Sequence, residues 1–322
     1  MGTSRNLVPA ALLMMALFGS AQPLAGQACS CGGAPMLGAL GSAPPGIGQW
    51  QLGSQYDYND ISGLAAGSST LARDGRRQLS QSTIIRLNYG LSRSVTLSVL
   101  VTAVAKERAV SDVVKTSGIG DGIVLVQVNL LPELSYPQRD LLIGLGFKAP
   151  LGAADLTRSG VRISPDMQPT TGGWDGLASL YFTTEILPPL PATLLLTASQ
   201  RWTSANPDYS TTQSDYRFGN ETVASLGLRY GLGLRSLVNV QLNYRRTDAD
   251  RLGTYRLPNS GGQWLFAGLG FNWSLLENVG LGISGQLPIY HQLNGAIQLT
   301  TRYSFSMFVN YTFGSRQGMG GR

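Results

Sequence analysis

The chain has 322 residues, a formal net charge of +6, only 13% charged residues and 41 glycines. Charge at about half the soluble average argues against a pair of ordinary soluble domains, and the scatter of the basic residues, with no basic run, excludes a nucleic-acid partner. No window supplies the ~18 apolar residues of a spanning helix, so low charge and abundant glycine point to a β-rich membrane protein.

Residues 1–28 read as a secretory signal peptide. Arg5 supplies the positive end, residues 7–18 an apolar core too short to span, and Gly26-Gln27-Ala28 an acceptable cleavage site. Cleavage leaves Cys29 first, but Gly26 and Gln27 make a poor lipidation signal. Residues 29–47 are rich in Gly, Pro and Ala and read as a flexible N-terminal segment. Cys29 and Cys31 in it form the one weak metal candidate, a Cu(I) pair. Two ligands without a nearby histidine are an incomplete set, so a passive or partner-linked segment is the stronger reading. A periplasmic or membrane protein partner would engage it there. No cofactor is expected.

From residue 48 onward, alternating segments follow one another. Twelve strands are predicted, over 48–58, 78–89, 94–106, 118–130, 141–150, 173–186, 192–203, 220–231, 237–246, 262–274, 278–290 and 297–313. The last is the clearest. Its odd positions from Ile297 to Phe313 are apolar or aromatic apart from Thr301, and its even positions are polar apart from Phe308. A two-residue period of that length suits a tilted strand crossing a bilayer. Connections alternate in length, short after even-numbered strands and longer after odd-numbered ones, with 107–117 read as a long loop and His291 placed in another. That rhythm predicts a twelve-stranded antiparallel transmembrane β-barrel of the outer-membrane type over 48–313. Both termini are then periplasmic, in contact with outer-membrane lipid, and residues 314–322 form a disordered tail. In a soluble sandwich the rhythm would have no reason, and the polar faces would leave a large wet surface. Tyr and Trp near strand ends, such as Trp50, Tyr89, Trp202 and Trp273, suit interfacial girdles.

If the apolar faces meet lipid, the other faces line the lumen. They carry Asp57, Arg86, Asp121, Lys148, Asp175, Glu185, Arg201, Glu221, Arg229, Arg245 and Arg302. Charge in lipid would cost a few kcal/mol, so the inward phase is expected. Near-balanced signs favour cross-lumen ion pairs that stiffen a packed polar core, over a charged pore lining. Asp121 would pair with Arg86 or Lys148.

Three motifs stand in order: Ser117-Gly118-Ile119-Gly120-Asp121 opening the fourth strand, Gly144-Leu145-Gly146-Phe147-Lys148-Ala149-Pro150-Leu151-Gly152 closing the fifth, and Thr171-Gly172-Gly173-Trp174-Asp175 opening the sixth. Over roughly residues 78–313 the chain resembles the outer-membrane "transporter" family named for the MetA pathway of phenol degradation. The resemblance implies passage of small, often aromatic or hydrophobic, molecules. Independently of it, such glycines let strands bend and let backbone approach a neighbour or plug.

An enzyme is not expected: the single His291 has no Ser partner at suitable spacing, and no Gly-x-Ser-x-Gly elbow is present. The sequence therefore predicts a passive channel for small solutes, with a plugged structural or partner-binding barrel as the alternative. Residues 159–169, in the longest outer loop, are left open as a constriction.

Overall fold

The computed structural model describes residues 44–110, 112–131, 139–186, 191–206, 209 and 215–314. The segment read as a signal peptide, Cys29, Cys31 and residues 315–322 of the expected tail lie outside them. Alternation writes the architecture. Wherever one face is apolar and the other polar, the chain runs as a strand with the apolar face outward. Twelve such strands among the described residues form a closed antiparallel barrel: β1 (Trp50–Ile61), β2 (Arg77–Gly90), β3 (Val95–Ala109), β4 (Val113–Asn129), β5 (Arg139–Pro150), β6 (Asp175–Ile186), β7 (Ala192–Trp202), β8 (Glu221–Gly231), β9 (Ser236–Thr247), β10 (Gly262–Leu276), β11 (Val279–Leu293) and β12 (Tyr303–Phe313). Neighbours in sequence are neighbours in the wall. The ring closes by β1 on β12, from Trp50 opposite Phe313 to Asp60 opposite Tyr303.

The outer face inverts the rule for soluble proteins. Ile85, Val126, Leu145, Leu226, Val240 and Leu269 all point outward and stand exposed. A belt of this kind far exceeds the apolar patch of a soluble monomer and suits hydrocarbon. Aromatic rings mark its two rims. At the end carrying the chain termini, Trp50 lies on Tyr89 (4.3 Å) and Tyr311 on Phe313 (5.5 Å). At the loop end, Phe147 meets Trp174 (5.7 Å) and Tyr58 meets Tyr303 (6.0 Å).

Three details depart from the sequence reading. The long loop expected over 107–117 is instead a strand hairpin, with β3 and β4 paired to Ala109 opposite Val113. Its charges, including the Glu107 contacts to Arg77 (3.0 Å) and Lys115 (2.9 Å), form cross-strand pairs on the outer face, while Lys106 and Thr116 are buried on the inner one. The run 297–313 does not stay in one strand. Gln298–Thr300 joins a separate small sheet with Gly63–Ala66 and Ser69–Leu71, and barrel pairing restarts at Tyr303. His291 is not in a loop but in β11, opposite Trp264.

Candidate functional site

The lumen divides into two parts. At the loop end the inward side chains are charged, and on successive strands they alternate in sign. Asp121 of β4 contacts Lys148 of β5 (3.1 Å), and Lys148 contacts Asp175 of β6 (3.1 Å). Asp175 lies 3.8 Å from Arg201 of β7, which meets Glu221 of β8 at 3.2 Å. Glu221 then accepts a hydrogen bond from Arg245 of β9 at 2.7 Å. The Arg245 guanidinium finally lies 5.1 Å over the Trp264 ring of β10. The register explains the order. Lys148 is directly opposite Asp175, and Arg201 directly opposite Glu221, while the remaining contacts are diagonal. Each of these side chains is at most 8% exposed. Three acids and three bases cancel, which offsets the cost of taking each charge out of water.

A loop completes this closure. Residues 164–173, between β5 and β6, fold into the barrel rather than away from it. Lys148 donates to the Thr171 hydroxyl and to the Gly173 carbonyl (3.3 Å), and Thr116 donates to the Met167 carbonyl (2.5 Å). Lys106 donates to the Asp166 carbonyl, and Arg108 pairs with the Asp166 carboxylate. Met167, Gln168 and Pro169 are fully buried. The glycine motifs serve this loop. A side chain on Gly118 would meet the Pro169 ring at 3.4 Å, and one on Gly120 would strike the Thr102 hydroxyl. Gly172 has φ +73° and is crossed by Asn206, so both its backbone and its space require glycine. On the other side of the mouth, Ala65 packs with the inward Trp264, Phe266 and Leu293 beneath the Gly63–Leu71 hairpin.

A β-bulge aligns the belt. The β3–β4 register slips between Val101 and Ala103, so Thr102 faces both Gly120 and Asp121. Below the slip the odd residues of β4 point inward, and above it the even ones do, as the buried Asp121 and Thr116 show.

The terminus-end half is different. It holds a cavity of about 490 Å³, lined chiefly by amides and hydroxyls, among them Gln55, Asn239, Gln241, Gln286, Ser304 and Ser306. Arg86 and Arg229 line it too, with no carboxylate among the described lining residues. Arg86 donates to the Asn310 side-chain oxygen at 2.9 Å. The Arg229 guanidinium faces the Tyr181 hydroxyl. Phe308, the one apolar residue on the polar face of its strand, points into this cavity and occupies the space that Gly282 leaves open.

The sequence-expected residues thus separate. Asp121, Lys148, Asp175, Arg201, Glu221 and Arg245 come together in the belt. Arg86 and Arg229 line the cavity. Asp57 is buried on the inner wall, held by Ser306 (2.5 Å) and Gln55 (2.9 Å). Glu185 is inward by register but only half-buried, near the terminus end of β6. Arg302 is not a lumen residue. It lies in the break before β12, exposed, with its guanidinium 5.9 Å from the Tyr303 ring. The anchors Lys106, Arg108 and Gln168 were not singled out beforehand. The first two continue the inward phase of β3 past the bilayer, whereas nothing in the loop sequence marks Gln168.

No family model matches the chain, and no curated protein matches it. The resemblance to the MetA-pathway family therefore rests on the three motifs alone. Among solved structures, the COG4313 outer membrane channel from Pseudomonas putida F1 superposes with a TM-score of 0.70 at 14% identity, covering 85% of this chain and 97% of that one. The β domain of the Bordetella autotransporter Brka (TM-score 0.48, 13% identity, 83% and 100% covered) and the NanC porin (0.45, 10%, 81% and 98%) are looser matches on which nothing is built. At such identities the likeness is one of fold, and the chain has the fold of an outer-membrane β-barrel.

Proposed function

We propose that the protein is a passive outer-membrane channel for small solutes, with its termini on the periplasmic side. The observation that carries this reading is the cavity of about 490 Å³ enclosed by the barrel wall at the terminus end. Its size lies in the range of roughly 300–1,000 Å³ typical of small-molecule sites, and its amide lining can exchange hydrogen bonds with a passing solute at little cost. The exposed apolar belt between aromatic rims supports residence in a bilayer. Passage requires residues 164–173 to withdraw from the loop end. Planar-bilayer recording of the refolded protein tests the reading. Wild-type protein should show discrete conductance steps, and replacing residues 156–170 with a short Gly/Ser linker should enlarge them.

The second reading, a plugged barrel without transport, is favoured by the burial of Met167, Gln168 and Pro169 within the closed mouth. It predicts silence from the wild-type protein, with conductance appearing at most when residues 156–170 are replaced, and wild-type silence would remove the channel reading.

A further inference from the structure

We infer that a cleft on the outside of the barrel, at the loop end between β9, β10 and the hairpin that joins them, holds a phosphate group of an outer-leaflet lipid headgroup. The hairpin consists of two short strands, Arg251–Leu252 and Tyr255–Arg256. Gly253, at φ +59°, takes the first central position of its two-residue turn and pins the register. That register sets Arg251 directly opposite Arg256, and the next strand over sets Arg217 directly opposite Arg251. Three like charges thus stand in one row across three strands. Such pairs oppose strand pairing, so the row is destabilising until an anion lies over it.

The neighbouring carboxylates supply little of that anion. Asp250, one residue before Arg251, turns the other way and accepts from the Tyr216 hydroxyl (2.6 Å) and the Gly219 amide (2.8 Å). Asp248 lies 3.7 Å from Arg246. Asp215 is exposed and pairs with none of the three arginines among the described residues. Arg217 makes long hydrogen bonds to Thr203 (3.4 Å) and Asn220 (3.5 Å), and among the described residues Arg251 and Arg256 make no ion pair. Arg246, Arg251 and Arg256 together line a cleft of about 500 Å³, in which Asp248 is the one carboxylate among the described lining residues.

The position of the cleft points to a lipid. Arg245 and Trp264 are buried inward, so their neighbours Arg246 and Gln263, opposite each other on β9 and β10, face outward. They come next beyond the outward pair Tyr244 and Leu265, and the Tyr244 hydroxyl donates to Gln263 (3.1 Å). The cleft therefore begins where the apolar outer face ends, at the depth of headgroups. A lipid bound there keeps its chains on the belt and its phosphate among the guanidiniums, whose planar forks match phosphate oxygens. The choice of the outer leaflet rests on the orientation proposed above; the preference for phosphate does not.

Native mass spectrometry of the full-length refolded barrel in maltoside micelles tests the inference. The micelles are doped with lipid A carrying two phosphates or with its one-phosphate form, and inorganic phosphate is added as a competitor. One unit charge about 6 Å from a bound ion in water changes occupancy about threefold. Two-phosphate lipid A should therefore bind at least about threefold more tightly than the one-phosphate form, and the Arg251→Gln/Arg256→Gln double variant should lose about tenfold. Salt at about 1 M, where the screening length is about 3 Å, should remove most of the difference. Arg235→Gln, at an exposed turn of the terminus end, should change nothing. Heat-modifiable gel mobility reports folding of each variant, and the comparison of the two lipids needs no variant at all. Equal affinity for the two lipids overturns the inference, as does a folded double variant with unchanged affinity or an equal loss in Arg235→Gln. Displacement of lipid A by an equal concentration of inorganic phosphate overturns the lipid and leaves a free-anion site. The leaflet is read in cells from Thr254→Cys with a PEG-maleimide too large to cross the outer membrane. Labelling of intact cells supports the outer leaflet. Labelling only after lysis overturns that assignment and the proposed orientation together, while the micelle result stands by itself.

Discussion

The two halves of the lumen are built from the same twelve strands and the same inward phase, yet one is shut and the other open. At the loop end, inward positions carry Asp121, Lys148, Asp175, Arg201, Glu221 and Arg245, and each charge finds an opposite one on the next strand. At the terminus end, inward positions carry mostly amides, hydroxyls and glycines, with Arg86, Arg229 and Phe308 among them, and a cavity remains. The difference teaches that barrel diameter does not decide whether this interior is filled. Side-chain length and pairing do. Long ions that pair across strands close the space, and short neutral groups that bond along the wall leave it open.

The comparison can be broken most severely at Lys148. It is the one cation between Asp121 and Asp175, and it also holds Thr171 of the inward loop. Lys148→Met leaves two buried carboxylates facing each other, and removing one partner of such a set costs about 3–5 kcal/mol. Urea unfolding in detergent should show that loss, and any folded fraction should conduct more because the loop has lost its anchor. Full stability in this variant would mean the belt is not a closed electrostatic unit.

Gly172→Val is the next in size. It forces a β-branched residue to φ +73° and drives it into Asn206, a strain of about 1–3 kcal/mol. The expected signature is a lower unfolding midpoint together with larger or noisier conductance, since the strained residue belongs to the loop end. In the open half the balance reverses. Phe308→Ala removes a ring that points into the cavity over Gly282. Because this ring faces the cavity, stability should fall by less than the ~3–5 kcal/mol of a packed Phe, while conductance rises. Smallest of all, Arg302→Gln at the exposed rim should change unfolding by no more than about 0.5 kcal/mol and leave conductance as it was. A larger effect on either would place Arg302 functionally inside.

Much of this barrel could be read directly from alternation. Every strand whose two faces meet lipid and lumen shows a two-residue period, so the number of strands, their order and the inward phase of the belt residues were all accessible. The period signals a contrast of residue type between the faces, and where both faces are polar the contrast vanishes although the backbone still pairs. The β3–β4 hairpin above the bilayer is one such place, held by Glu107 to Arg77 and Lys115 rather than by an apolar face. The opposite error arose at residues 297–313, where unbroken alternation hid a change of sheet at Thr301 and Arg302. The bulge opposite Thr102 falls on Gly120 and Asp121, within the glycine motif, and it switches the inward phase from the odd residues below, up to Asp121, to the even ones above. The inward loop was least legible. Its anchors come from β3, β4 and β5, and only Gly118 and Gly120, spare of side chains where Pro169 arrives, hint at it.

The closure of β1 on β12 carries a consequence for how the molecule is made. Trp50 and Phe313 stand opposite each other although nearly the whole described chain lies between them. Until that seam forms, β1 and β12 each present a row of unbonded amides and carbonyls, which hydrocarbon does not tolerate. Every other wall contact joins sequence neighbours and can form early, but the last one waits on the longest loop closure in the chain. Insertion is then expected to be all-or-none, with no stable eleven-stranded stage. A chain truncated before Tyr303 would keep most of its hairpins and still have no membrane-compatible state, so it should partition to aggregates and proteolysis rather than to a smaller barrel.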